Sequence, residues 1–206
     1  MKHYKLKSLT VSNINTIYNK VKLSIDYKPH NDLIKDFFIH NQLNTNFDIV
    51  AAKLTLIDDF YNTNTFRYKK VMFTDFIEAI IKTVNIDKRI EYGDCSVVND
   101  IVKGLSNAAF MLATVYCALH NRYVYKKDDF MIYSKINTKL ISEYTFKYYN
   151  KTTRITQREL ENYRNSKDYC GYNKVVDNFL NEMKVFTNNR KEELDLFLWD
   201  QRKIYK

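Results

Sequence analysis

Three glycines and one proline are all that this chain of 206 residues carries, and no other feature narrows its fold as sharply. Strands joined by tight turns call for such residues every few positions, whereas helices need them only near their ends. The same scarcity removes nucleotide-binding glycine loops, because neither GxGxxG nor GxxxxGK[ST] can be written anywhere in the chain. Hydrophobic residues make up 45% of the sequence, including 17 Tyr and 13 Phe. That is enough apolar surface to bury a large interior. The expectation is a compact all-α fold: one helical domain over 1–206, in two lobes of about 1–105 and 106–206 with a cleft between them.

Apolar periodicity places the helices. Val11, Ile14, Ile17, Tyr18, Val21 and Ile25 mark a first helix within Leu9–Tyr27, and Pro29 then breaks the chain. Asn31 is an N-cap candidate for Leu33–Phe38, and Asn41–Asn46 (NQLNTN) reads as a loop. Phe47–Tyr61 repeats at three- and four-residue steps, and Thr74 introduces a helix through Val84. Asp87–Asp94 (DKRIEYGD) reads as a charged connection, followed by a short helix Val97–Lys103 that Gly104 ends. The longest apolar helix is Asn107–Leu119, then a charged loop Arg122–Asp129 and a helix Ile136–Tyr149. Thr156 and Glu159 have capping-box spacing. Lys174–Phe186 and Lys191–Trp199 read as amphipathic helices that complete the fold.

Net charge is +9, from 33 Lys and Arg against 24 Asp and Glu. Such a surplus favours an anionic partner (DNA, RNA or an acidic protein surface), although AT-rich codon usage enriches Lys, Asn, Ile and Tyr by itself. The N-terminal MKHYKLKSLTVSNIN lacks the apolar run of a signal peptide, and no apolar stretch has the length of a membrane span. Cys95, Cys117 and Cys170 are odd in number and form no CxxC. These features together suggest a soluble cytoplasmic protein with free thiols.

ATVYCALHN (Ala113–Asn121) sets Cys117 and His120 one helical turn apart. Zinc takes four ligands, and Cys95, Cys170, His30 and His40 show no complementary spacing, so no metal or other cofactor is expected. A nucleophilic pair would need surroundings that favour the thiolate. Cys117 instead reads as core, with His120 at the exposed end of the helix. Asp58 and Asp59 point in different directions on a helix, which suits surface charges. Asp128 and Asp129 follow Lys126 and Lys127 and either balance them or cap the next element. YNTNTFRYKK (Tyr61–Lys70) offers stacking rings in Tyr61, Phe66 and Tyr68, base-reading amides in Asn62 and Asn64, and phosphate-binding cations. A surface turn in a tyrosine-rich protein explains it equally well.

The runs AAKLTLIDDFYNTNTF, NIDKRIEYGD, FMLATVYCALHN, DDFMIYSK and LDLFLWDQRK, in this order from Phe47 to Lys203, resemble a family of bacterial proteins associated with mobile elements and defence loci. That family is in turn similar to helix-hairpin-helix DNA glycosylases. The resemblance implies a hairpin that grips the DNA backbone, a lysine nucleophile and a catalytic aspartate acting on a flipped-out base. Here Val115 stands at the lysine position and Ser134 at the aspartate position. VKGLSN (Val102–Asn107) keeps one hairpin glycine where two are common. The resemblance therefore implies a DNA- or nucleotide-binding scaffold without lysine-dependent glycosylase or lyase activity. Its cleft would hold Tyr61, Asn62, Asn64, Tyr116, His120 and Ser134. Lys103, Arg122, Lys126, Lys127, Arg154 and Arg158 would contact phosphates. One alternative keeps base excision with Asp128 or Asp129 as the acid. Another is a helical phage or viral factor that occupies a host protein.

Overall fold

The computed structural model describes residues 6–61, 63, 65, 66 and 71–202. Among them are eleven helices and no strand, so the chain is all-α, as glycine and proline scarcity predicts. Thr10 caps α1 (Val11–Lys22) by accepting from the Asn13 amide, and Ile14, Ile17 and Val21 form its buried face. Next come α2 (Lys28–His40), α3 (Phe47–Tyr61), α4 (Phe73–Lys82), α5 (Ile86–Glu91) and α6 (Ser96–Val102). They are followed by α7 (Ala109–Val124), α8 (Lys135–Tyr148), α9 (Gln157–Ser166), α10 (Tyr169–Glu182) and α11 (Arg190–Gln201).

Two of these helices organise the rest. From Leu112 to Tyr123 every residue of α7 is buried, enclosed by α2, α3, α5 and α6. In α11, Lys191 through Leu198 are all buried, between α1 and α8. A helix apolar on one face but buried on all must satisfy its polar side chains inside the protein. The functional groups of this fold arise from that constraint. One hydrophobic cluster runs from Leu9 to Leu198 and includes residues from both halves of the chain.

Several local expectations need correction. Pro29 does not break the chain but lies in the first turn of α2, where a missing amide proton costs nothing. The charged run after Asn85 contains α5, whose Ile86 and Ile90 are buried while Lys88 is exposed and Asp87 turns toward Asn44. Gly93 follows it at φ +69, and a Cβ there would stand 2.7 Å from Asp129 Cγ. Conformation and close approach thus both demand glycine. Helix α7 runs on to Val124, so Arg122 is helical and buried rather than part of a loop. His120 is not at an exposed helix end but is completely buried.

The free-thiol expectation holds for Cys117 alone. Cys95 and Cys170 form a disulfide with a Cα–Cα distance of 5.2 Å, joining the start of α6 to the first turn of α10. An odd count leaves one cysteine over but does not prevent the other two from meeting. Thr156 and Glu159 form the capping box at the start of α9. Among the described residues, no helix is long and apolar enough to cross a membrane.

Candidate functional site

The strongest candidate is a cavity of about 450 Å³ where five parts of the chain converge. Asp26, Tyr27 and His30 enter from the α1–α2 junction, and Asp59, Phe60 and Tyr61 from the end of α3. Met111 comes from α7, with Ile132, Ser134, Ile136 and Asn137 from the α7–α8 connection and α8. Helix α11 contributes Asp195, Leu196 and Trp199, and Arg202 follows at its end. The size suits a small planar ligand.

Aromatic rings form much of the wall. Tyr27 lies 5.6 Å from Phe60 and 6.3 Å from Trp199 between ring centroids. His30 stacks on Phe60 at 5.5 Å, and Phe60 meets Tyr61 edge-on at 5.1 Å. The Arg202 guanidinium covers Trp199 at 4.1 Å, a cation–π contact that holds both at the mouth. Asp195 lies one turn before Trp199 on the same helix, so the two side chains share a face. Asn137 Nδ2 donates to Asp195 Oδ1 at 2.9 Å and to the Ile132 carbonyl at 3.1 Å. Among the described residues, no donor reaches Asp195 Oδ2.

Burial pushes the Asp195 carboxyl up to about 6, against the pull of the Arg122 cation and the Asn137 amide. A carboxyl that titrates near neutrality inside an aromatic cavity is a mark of a functional group. Arg122 itself is not free. Its Nε donates to Asp128 Oδ1 at 2.7 Å and its Nη2 to the Phe130 carbonyl. Burial alone would lower the Arg122 pKa, but Asp128, Glu192 and Asp195 hold it above the ordinary range. Arg122 therefore serves the cavity as a buried counter-charge and cannot make the phosphate contact expected of it.

The structure brings Tyr61 and Ser134 to this cavity and separates them from Tyr116 and His120. Ser134 is the N-cap of α8, accepting from the Asn137 amide at 3.0 Å. Tyr116 and His120 belong to a sealed polar cluster. Tyr116 and Lys53 both donate to Asn44 Oδ1, the lysine at 2.8 Å. Asn44 Nδ2 donates to Asp87 Oδ1 at 2.6 Å and faces His120 Nε2 at 3.3 Å. Burial lowers Lys53 to about 8, partly offset by Asp87. Burial, reinforced by Lys53, holds His120 well below its ordinary value. Asn62 and Asn64 lie outside the described residues, as do Arg67, Tyr68, Lys69 and Lys70.

Asp128 and Asp129 stand away from the aromatic cavity. Asp128 Oδ2 accepts the Lys191 and Glu192 amides at 2.6 and 3.0 Å, capping α11, while Oδ1 holds Arg122. Asp129 packs against Gly93 and accepts from Asn121 Nδ2 at 3.0 Å. Their contacts are structural. The remaining cations do not form one basic cleft. Lys103 is exposed at the end of α6, and Lys126 and Lys127 are exposed after α7. Lys126 and Lys127 donate to the Tyr123 and Glu91 carbonyls. Arg154 lies over Phe146, and Arg158 is exposed on α9. Val115 is core and does not line the cavity; the α7 residue that does is Met111, one turn earlier. No lysine is among the described lining residues.

A family model described as HI_0787_N, N-terminal domain, matches residues 11–124, just over half of the chain and everything from α1 through α7. No curated protein and no solved structure matches the chain.

Proposed function

The chain belongs to the HI_0787_N N-terminal domain family, and on the chemistry of its aromatic cavity we propose that it binds a nucleobase, free or within DNA, without lysine-dependent glycosylase chemistry. The observation that carries this proposal is Asp195. It is a buried carboxylate with one oxygen uncommitted among the described residues, set in a cavity walled by Tyr27, Phe60, Tyr61 and Trp199. Flat π-surfaces favour a planar heterocycle. An ionised carboxylate accepts best from two adjacent N–H donors, and among the bases guanine offers that edge in its N1–H and exocyclic amine. The resemblance carried by the sequence motifs is to glycosylases, which read a base out of its stack. That resemblance sets Val115 and Ser134 where a catalytic lysine and aspartate would stand, which favours a binding role.

The chain has a single tryptophan, and it lines the cavity. Trp199 fluorescence therefore reports occupancy directly. 2′-Deoxyguanosine is expected to quench it more strongly than the other three deoxynucleosides, and Asp195→Asn to weaken guanosine binding at least tenfold. Affinity should fall as pH drops through about 6, where the carboxyl protonates. Equal quenching by all four nucleosides, or full retention of affinity in Asp195→Asn, would exclude this site.

A further inference from the structure

A second cavity, of about 510 Å³, adjoins the first; Met111 and Ser134 line both. Its chemistry is opposite. The described lining includes two cations, Lys135 and Arg164, and no carboxylate, whereas the aromatic cavity has Asp26 and Asp59 among its lining residues beside Asp195. Two helices begin at it: Asn107 and Ala108 precede the first turn of the 16-residue α7, and Ser134 caps the 14-residue α8. Both N-termini present the positive end of a helix dipole.

An independent observation points to a missing acceptor there. Tyr133 lines this cavity and is 1% exposed, yet its hydroxyl has no hydrogen-bond partner among the described residues. Its ring is held by Phe110 at 5.1 Å and Tyr172 at 5.2 Å, both edge-on, so the hydroxyl is fixed in direction. Arg164 lines the same cavity, and it and Glu161 act on that hydroxyl with opposite signs. Glu161 is itself engaged by Gln157. A buried donor left unmatched is uncommon in proteins and calls for an explanation. A fixed O–H, two cations and two helix N-termini around one hollow suit an oxyanion with several acceptor oxygens.

We propose that the cavity formed by Tyr133, Lys135 and Arg164 at the N-termini of α7 and α8 is a phosphate subsite, and that the ligand of this protein is a nucleotide whose base occupies the adjoining aromatic cavity. The second half rests on the base-binding role proposed above; the subsite itself does not. Phosphate could arrive as the monoester of a free nucleotide or the diester of a DNA strand, and the chemistry of recognition is common to both.

The test titrates wild-type protein, at low salt, with 2′-deoxyguanosine, its 5′- and 3′-monophosphates, and the trinucleotide dT-dG-dT, read by Trp199 fluorescence. Inorganic phosphate is titrated separately and read by ³¹P line broadening. At least one phosphorylated ligand is expected to bind about tenfold tighter than the nucleoside. That advantage should shrink as salt rises and be lost in Arg164→Gln and Lys135→Gln, with Tyr133→Phe losing part of it. Lys135 is exposed and Arg164 half-buried, so both glutamine variants should fold, which circular dichroism checks. Tighter monophosphate than trinucleotide binding would identify a free nucleotide, and the reverse order a strand; either supports the subsite. Nucleoside binding with no gain from phosphate, or a gain that survives both glutamine variants, overturns the subsite and leaves base binding standing. Phosphate broadening that depends on Arg164, with no nucleoside binding, supports the subsite and removes the base-binding role. With neither signal, both fall.

Discussion

Asp195 shows at the scale of one residue why a helix buried on every face accumulates chemistry. Its carboxyl is desolvated, and burial raises its proton affinity more than Arg122 and Asn137 lower it. The consequence for stability has a definite sign. Between the unfolded value near 4 and the folded value of about 6, the native state holds a proton that the unfolded chain has released. Stability therefore falls as pH rises through this window. Asp195→Asn removes that penalty and keeps an amide oxygen for Asn137. The variant should be more stable than wild type at pH 8 by roughly 1–3 kcal/mol, with the gain vanishing toward pH 4. Urea titrations at pH 4, 6 and 8 would show it, and a gain independent of pH would contradict the assignment. A group that costs stability at neutral pH while facing a cavity is the usual signature of a site kept for function.

At the scale of elements, the sequence was most informative where burial is one-sided. Helix α3 was legible to the residue, because Val50, Leu54 and Ile57 alternate with exposed polar positions, and the capping box of α9 was legible from two residues. The all-α class followed from four glycine and proline residues. The site was much less visible. Helix α11 reads as amphipathic from its sequence, but its polar residues are buried too, so spacing alone does not set Asp195 apart from a surface acid between Leu194 and Leu196. The signal was the LDLFLW block, where a carboxylate and a tryptophan share a helical face. Tyr27, Phe60 and Trp199 could not be joined by spacing, since they meet through three separate elements. Spacing along α7 does not reveal that His120 is covered, because Asn44 and Asp87 reach it from the loop before α3 and from α5.

The start of α11 depends on Asp128, which accepts the Lys191 and Glu192 amides and neutralises Arg122. Both partners of that ion pair are under 10% exposed in their side chains. Removing the acid strands a buried cation, a change that costs about 3–5 kcal/mol. Asp128→Ala should therefore lower the urea midpoint sharply. A stable Asp128→Ala protein with altered ligand chemistry would instead return Asp128 to the role of a reacting acid.

At the scale of the whole molecule, the Cys95–Cys170 disulfide connects a residue inside the family-matched segment to one beyond it. Its ends are 75 positions apart in sequence. Closing a loop of this length restricts the unfolded chain, and reduction should cost roughly 2–5 kcal/mol. Thermal melting with and without a reductant checks this; identical midpoints would show that the bond contributes nothing to the native balance.

The same bond makes a covalent ring of everything from α6 to the first turn of α10, including both the α7 strut and the walls that α7 and α8 give to the two cavities. A protease that cuts once inside this ring, for instance between Tyr125 and Asp129, would not release a fragment. The nicked protein would migrate as one chain on a non-reducing gel and as two after reduction. The walls that α7 and α8 give to the two cavities are thus tied to α6 and α10 by topology as well as by packing, and would stay joined through a break in the backbone between them.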